Sequence, residues 1–194
     1  MEYLRQKTAQ TAELVRAIEM PEWLCIAEAE NIGRVIKSDT EKVLFAVSLA
    51  AENVRQGTGG PFAAAIFGAK NDRLAAIGVN TVVTSRQSWA HAEMTAFAHA
   101  QNKLNVLSLN GYILVSSAEP CAMCSGAVPW SGVDRLVYGA PREMAESVGF
   151  DEGYKGEKWR EAFEARGIDV AGPLCGDAAF EPFALYKEKH GKIY

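Results

Sequence analysis

Apolar residues recur at helical spacing from Val43 to Val54, at Val43, Leu44, Val47, Leu49, Ala50 and Val54. Ser38 and Glu41 precede them at capping-box spacing, so a helix is expected over about 39–56, ended by Gly57. The GTGGP stretch at 57–61 breaks that helix. FAAAIF (62–67), short, apolar and bounded by KND, predicts a buried strand with a hairpin partner, RLAAIGVN, at about 73–80. TSRQSW is loop-like, and Ala90 to about Lys103 is helical with Met94, Phe97 and Ala98 inward. A strand YILVS (112–116) leads through AEP into a helix starting near Cys121, and RLVYG (135–139) is another strand. Then come a short helix from Pro141, an acidic loop FDEGY, a helix at about 157–166, a short strand IDV and a last helix ending near Lys189. After the opening hairpin, strands and helices alternate, the pattern of an α/β sheet covered on both faces. Residues 1–37 precede this pattern as a helical extension, with Leu14, Val15 and Ile18 on one side, an interruption at Pro21 and a turn at Gly33.

Composition narrows the class. The 194 residues, 48% hydrophobic, suit one domain at 38–194 with the extension packed on it and no need of a disulfide scaffold. A net charge of -4 gives no broad cationic field, which argues against a nucleic-acid partner. No apolar run approaches the roughly 20 residues that span a bilayer, and MEYLRQKTAQ lacks the features of a signal peptide, so the expected setting is cytoplasmic, without a membrane partner. Cys25, Cys121, Cys124 and Cys175 then read as thiols or metal ligands.

Two motifs stand at strand-to-helix junctions: His91-Ala92-Glu93 and Pro120-Cys121-Ala122-Met123-Cys124. His91, Cys121 and Cys124 would hold a tetrahedral zinc ion with one position left for water, the arrangement of a catalytic site. The cysteines, three apart, lie on one side of a helix. His91 and Glu93 diverge by about 200° on a regular helix, so both serve one site only at its start. Two helix N-termini would then face the ion and favour thiolates. Two thiolates neutralise Zn²⁺ and leave its water less acidic, which makes Glu93 valuable as a base. Alone, HAE is a common helical tripeptide, and a lone CxxC is ambiguous between zinc, redox chemistry and chance. The combination is far more specific.

H-x-E…P-C-x-x-C resembles the signature of zinc-dependent nucleobase deaminases. The likeness to the cytidine deaminase-like superfamily runs over roughly 38–165. Within it GGPFAAAIF, GVN, AHAEMTAF, SAEPCAMCSGAVPW, VYGAPRE, GFDE and the terminal Tyr194 are similar to bacterial guanine deaminases. The resemblance implies a three-layer α/β/α cytidine deaminase-like fold with a central five-stranded mixed sheet. It further implies a dimer or higher oligomer, here expected as a homodimer, and one catalytic zinc per subunit. It makes Asn80 and Ala92 base contacts, Phe62 a pocket wall, and Tyr194 the end of a tail that closes over an active site, in some members the partner's. Trp130 could stack on a base or belong to the core. FAAA in place of FGA, SAEPC in place of SCEPC and a longer extension depart from the family pattern.

The expected substrate is a free small-molecule purine base, guanine above all, with tolerance for other amino-substituted nitrogen heterocycles. Guanine's N1–H and amino group require an acceptor, each donor costing about 1–3 kcal/mol if left unpaired. The GFDE motif puts that acidic residue at Glu152, with Asp151 and Glu157 as competitors; Glu152 and Glu157 stand as catalytic candidates beside Glu93, and Asp151 as a base contact. Alternatives are a tRNA adenosine deaminase, which should offer a basic surface, a cytosine or nucleoside deaminase, and an inactive zinc-stabilised interaction module, which would have no use for Glu93.

Overall fold

The computed structural model describes residues 19–194, so Leu14, Val15 and Ile18 of the expected extension lie outside the described residues. Helix α1 (Glu22–Asn31) starts directly after Pro21, and Gly33 turns the chain with φ +78° before Val35 bridges Arg73. Leu24 is fully buried, and Glu28 joins α1 to its neighbours by accepting from the Ile77 N–H and pairing with Lys103.

Helix α2 (Asp39–Arg55) is capped as the sequence predicts: the Ser38 hydroxyl accepts from the Glu41 N–H at 3.2 Å and donates to its carboxylate at 2.7 Å. Strands β1 (Ala63–Gly68) and β2 (Leu74–Val79) form the expected hairpin. A single turn, α3 (Val82–Ser85), stands where a loop is expected, because Asn80 Oδ1 accepts the Val82 N–H and Thr81 O accepts the Ser85 N–H. Helix α4 (Ala92–Leu104) follows, then β3 (Tyr112–Ala118), α5 (Ala122–Ser131), β4 (Arg135–Ala140), α6 (Arg142–Ser147), α7 (Trp159–Glu164), β5 (Asp169–Ala171) and α8 (Glu181–Glu188).

The five strands run in the order β2-β1-β3-β4-β5. β1 is antiparallel to both neighbours, while β3–β4 and β4–β5 are parallel, so the sheet is mixed. Side-chain alternation divides the core between its two faces. Ala63, Ala65, Phe67, Ile113, Val115 and Val137 pack beneath α2 and α8. Ala64, Ile66, Leu114, Leu136 and Tyr138 pack with Ala96 and Phe97 of α4, Val128 of α5 and Phe163 of α7. This is the three-layer α/β/α arrangement. No helix among the described residues is long and apolar enough to cross a membrane.

Candidate metal and catalytic site

The site forms where two helices begin. α4 presses directly on β2, an approach only glycine permits: a Cβ on Gly78 would lie 2.3 Å from the Ala96 nitrogen and 2.6 Å from the Ala92 oxygen. Thr95 fastens the contact by donating to the Val79 carbonyl at 3.0 Å. Held there, His91 is the N-cap of α4 but makes no capping bond with its side chain, which leaves the imidazole for the site. Cys121 is the N-cap of α5, and its sulfur accepts from the Cys124 N–H at 3.5 Å. Both ligand-bearing segments thus enter helices with their positive ends toward one spot.

The ligand atoms of His91, Cys121 and Cys124 all lie within 4.8 Å of one another. His91 Nδ1 and Cys121 Sγ are 3.5 Å apart. Bond lengths of about 2.05 Å to nitrogen and 2.3 Å to sulfur at a tetrahedral angle require about 3.6 Å, so the donor set and its spacing fit zinc. Charge fits as well. The hydrogen bond from Cys124, then the one with His91, holds the Cys121 thiol down at about 4 against the cost of burial. Cys124 goes the other way, well above the usual thiol range, because it donates to Cys121 and is buried. Cys121 therefore favours the thiolate and Cys124 the thiol, and a divalent cation held here would displace the Cys124 proton. For His91, burial opposes the charged form, but the hydrogen bond and charge of Cys121, with Glu93 and Glu152, outweigh it and raise the imidazole.

Glu93, one residue inside α4, is 6% exposed. Its carboxylate accepts from the Ser116 hydroxyl of β3 at 3.2 Å. Burial raises its proton affinity and the Cys121 charge adds to this, while His91 works against it. A carboxyl held in a proton-accepting environment next to three ligand atoms has what a proton shuttle requires.

The cavity over these groups gathers most of the residues expected from sequence. Phe62, Asn80, Ala92 and Tyr194 line it with His91, Glu93 and Cys121, as do Asp151 and Glu152. Asn80 is 1% exposed; its Nδ2 and the Tyr194 hydroxyl lie side by side, and neither has another hydrogen-bond partner among the described residues. Tyr194 comes from the same chain and packs edge-on against His91 and Phe150. Of the acidic candidates, Asp151 is exposed and spends a carboxylate oxygen on the Gly153 N–H at 2.9 Å, whereas Glu152 is 7% exposed. Burial raises Glu152 to about 8, with Cys121 and Glu93 contributing and His91 and Lys155 opposing. Glu157 is exposed, and the Trp130 indole is 83% exposed; neither lines the cavity. Trp130 is left outside because α5 turns Cys124, Ser125 and Val128 inward. Glu119 and Phe150 complete the lining without having been singled out from sequence, although both stand inside the quoted SAEPC and GFDE stretches. Ser116 carried no sequence signal, since its role depends on where β3 meets α4.

A fold of this topology with a His/Cys/Cys group over a buried glutamate defines a zinc-dependent deaminase. Residues 37–140 match the family described as the cytidine and deoxycytidylate deaminase zinc-binding region, and the chain belongs to that family. It is 42% identical over 109 residues to the guanine deaminase of Bacillus subtilis, spanning 56% of this chain and 69% of that protein. The solved structure of guanine deaminase from Nitrosomonas europaea is similar at TM-score 0.81 and 41% identity, covering 90% of this chain and 95% of that one. A structure of NE0047 in complex with 2,6-diaminopurine gives TM-score 0.84 and 42% identity over 92% of this chain and 95% of that one. The tRNA-specific adenosine deaminase of Bacillus subtilis matches a shorter stretch, 40% over 70 residues, which is 36% of this chain and 44% of that protein.

Proposed function

We propose that the protein hydrolyses guanine to xanthine and ammonia, with tolerance for other amino-substituted nitrogen heterocycles, and binds one zinc ion per chain through His91, Cys121 and Cys124. The observation that carries this reading is the pairing, in one cavity, of buried Glu152 with Asn80, whose amide nitrogen has no hydrogen-bond partner among the described residues beyond the neighbouring Tyr194 hydroxyl. Glu152 matches the N1–H and amino donors of guanine, and the Asn80 amide matches an acceptor on the ring. A site with these groups penalises any ligand that leaves them unpaired.

When bound, zinc supplies Lewis acidity and lowers the pKa of water. The remaining steps belong to the chain. Glu93 takes a proton from water as its oxygen adds to the carbon bearing the amino group and passes it to the ring nitrogen. It then takes the proton of the new hydroxyl as that becomes the carbonyl and passes it to the departing ammonia. Ser116, at 3.2 Å, holds that carboxylate toward the reacting atoms. Phe62 and Phe150, edge to face at 4.9 Å, wall the base, and Tyr194 closes the cavity against solvent. Residues 38–194 form the catalytic unit in this reading. A homodimer agrees with the large apolar side chains at the surface, Trp130 and Leu107 among them. Ligand thiols that must stay reduced agree with the cytoplasm.

The test is ammonia release from a panel of free bases, nucleosides and tRNA, with and without a chelator. Guanine should be turned over by metal-replete protein and spared after chelation. Turnover of tRNA in preference to guanine would overturn the substrate assignment.

A further inference from the structure

The ion pair between Lys155 and Glu119 lies beside the catalytic groups but takes no part in the steps above. Its side chains are only 7% and 11% exposed. The Lys155 ammonium pairs with the Glu119 carboxylate, donates to the Pro120 carbonyl at 2.9 Å and stands 4.2 Å from the centre of the Trp159 ring. A buried ammonium is tolerable only when so engaged. Pro120 immediately precedes the ligand Cys121, and Lys155 lies three residues beyond Glu152 in the irregular segment joining α6 to α7. The same segment is tied to the same helix start a second time, where the Ala122 N–H donates to the Glu152 carbonyl at 2.9 Å.

We infer that Lys155 is a positioning residue for Glu152: it clamps the loop carrying that carboxylate onto the Glu119-Pro120-Cys121 turn, fixing the distance between the base-binding acid and the metal ligands. The ammonium also occupies the Glu119 carboxylate, which lines the same cavity. Guanine's donors therefore meet Glu152 and not a second, competing acceptor. Without Lys155, Glu119 would lose the ammonium it pairs with, and the loop carrying Glu152 would keep the main-chain bond from Ala122 but lose its second tie to this turn. The inference rests on Glu152 being the base-binding carboxylate.

A double-mutant cycle between Lys155→Met and Glu152→Gln tests it. A misplacement of about 1 Å costs on the order of 10²-fold in rate, so Lys155→Met should lower kcat/KM for guanine by about 10- to 100-fold. Zinc content should match that of the parent. Because Lys155 acts through Glu152, adding Lys155→Met to Glu152→Gln should cost no more than about twofold beyond Glu152→Gln alone. If Lys155→Met does not fold with full zinc content, Lys155→Gln, which keeps an uncharged donor, takes its place in the cycle. Penalties that multiply in the double variant, or wild-type kcat/KM in the folded Lys155 variant while Glu152→Gln is impaired, would overturn the clamp alone. Wild-type turnover by Glu152→Gln would remove Glu152 from base binding and the clamp with it.

Discussion

Gly60 and Tyr194 meet so closely that a Cβ on Gly60 would lie 2.3 Å from the tyrosine hydroxyl. The main chain at Gly60 is itself fixed, its carbonyl accepting from Asn53 Nδ2 at 2.8 Å, and the same Asn53 nitrogen donates to the Asn80 carbonyl. The glycine therefore leaves the space into which Tyr194 inserts. Gly60→Ala should push Tyr194 out of the cavity and lower kcat/KM for guanine about tenfold, the scale of effect a lost closing contact has on a water-excluded site. Deletion of Tyr194 should produce a similar loss. Steady-state kinetics of Gly60→Ala in the truncated protein would then show little further change, and a full additional penalty would rule out this coupling.

Glu93 offers a sharper separation of binding from chemistry. Its carboxylate is buried beside the ligand atoms, yet among the described residues His91, Cys121 and Cys124 alone form the metal-ligand group. Glu93→Gln keeps the shape and the hydrogen-bond capacity toward Ser116 but removes the proton carrier. Turnover should fall by about 10²–10⁴-fold, the usual contribution of general acid–base catalysis. Zinc content by elemental analysis should stay at the parent level. Loss of the metal together with the activity would reassign Glu93 to ligation.

The outcome for these residues shows what local sequence encodes. His91, Glu93, Cys121 and Cys124 are legible because each pair is placed by the geometry of a single helix start, and spacing alone brings the atoms to one side. The five strands are legible for a similar reason, as short apolar runs between turn residues. The choice among Asp151, Glu152 and Glu157 is not, because it is made by tertiary contacts. The Ala122 N–H binds the Glu152 carbonyl and the Lys155 ammonium donates to the Pro120 carbonyl, while Asp151 is engaged locally by the Gly153 N–H. Trp130 is ambiguous for the same cause, as an aromatic near the end of a helix can face either way until the packing of Val128 decides. The turn at Val82–Ser85 depends on Asn80 accepting from the Val82 N–H, a bond that propensity does not anticipate.

Glu152 also predicts how the metal-free protein responds to pH. Its carboxyl is raised to about 8 by burial first, then by Cys121 and Glu93, against His91 and Lys155. An unfolded glutamate titrates near 4.3. Between those values the folded chain holds a proton that the unfolded chain has released, so this group's contribution is complete below about 4.3 and is lost as pH rises through about 8. Chelated protein should melt at progressively lower temperature as pH increases across that window. Glu152→Gln, which cannot ionise, should flatten the decline. An unchanged slope in the variant would locate the dependence elsewhere.

Gly78 joins the fold to the site, since it lets α4 lie flat enough on β2 to deliver His91 and Glu93. A Cβ there would meet main-chain atoms of α4 at 2.3 and 2.6 Å and the Thr95 hydroxyl at 2.4 Å, none of which is the end of a flexible side chain. Relief requires α4 to shift away from the strand. Overpacking of this kind costs about 1–3 kcal/mol and sometimes more, so Gly78→Ala should lower the denaturation midpoint accordingly. The same shift would carry His91 away from Cys121, a pair now 3.5 Å apart, so zinc affinity should fall together with stability. Competition with a chromophoric chelator measures that affinity independently of turnover. A destabilised Gly78→Ala protein that binds zinc as tightly as its parent would show that the helix start holds its position without the close contact to β2.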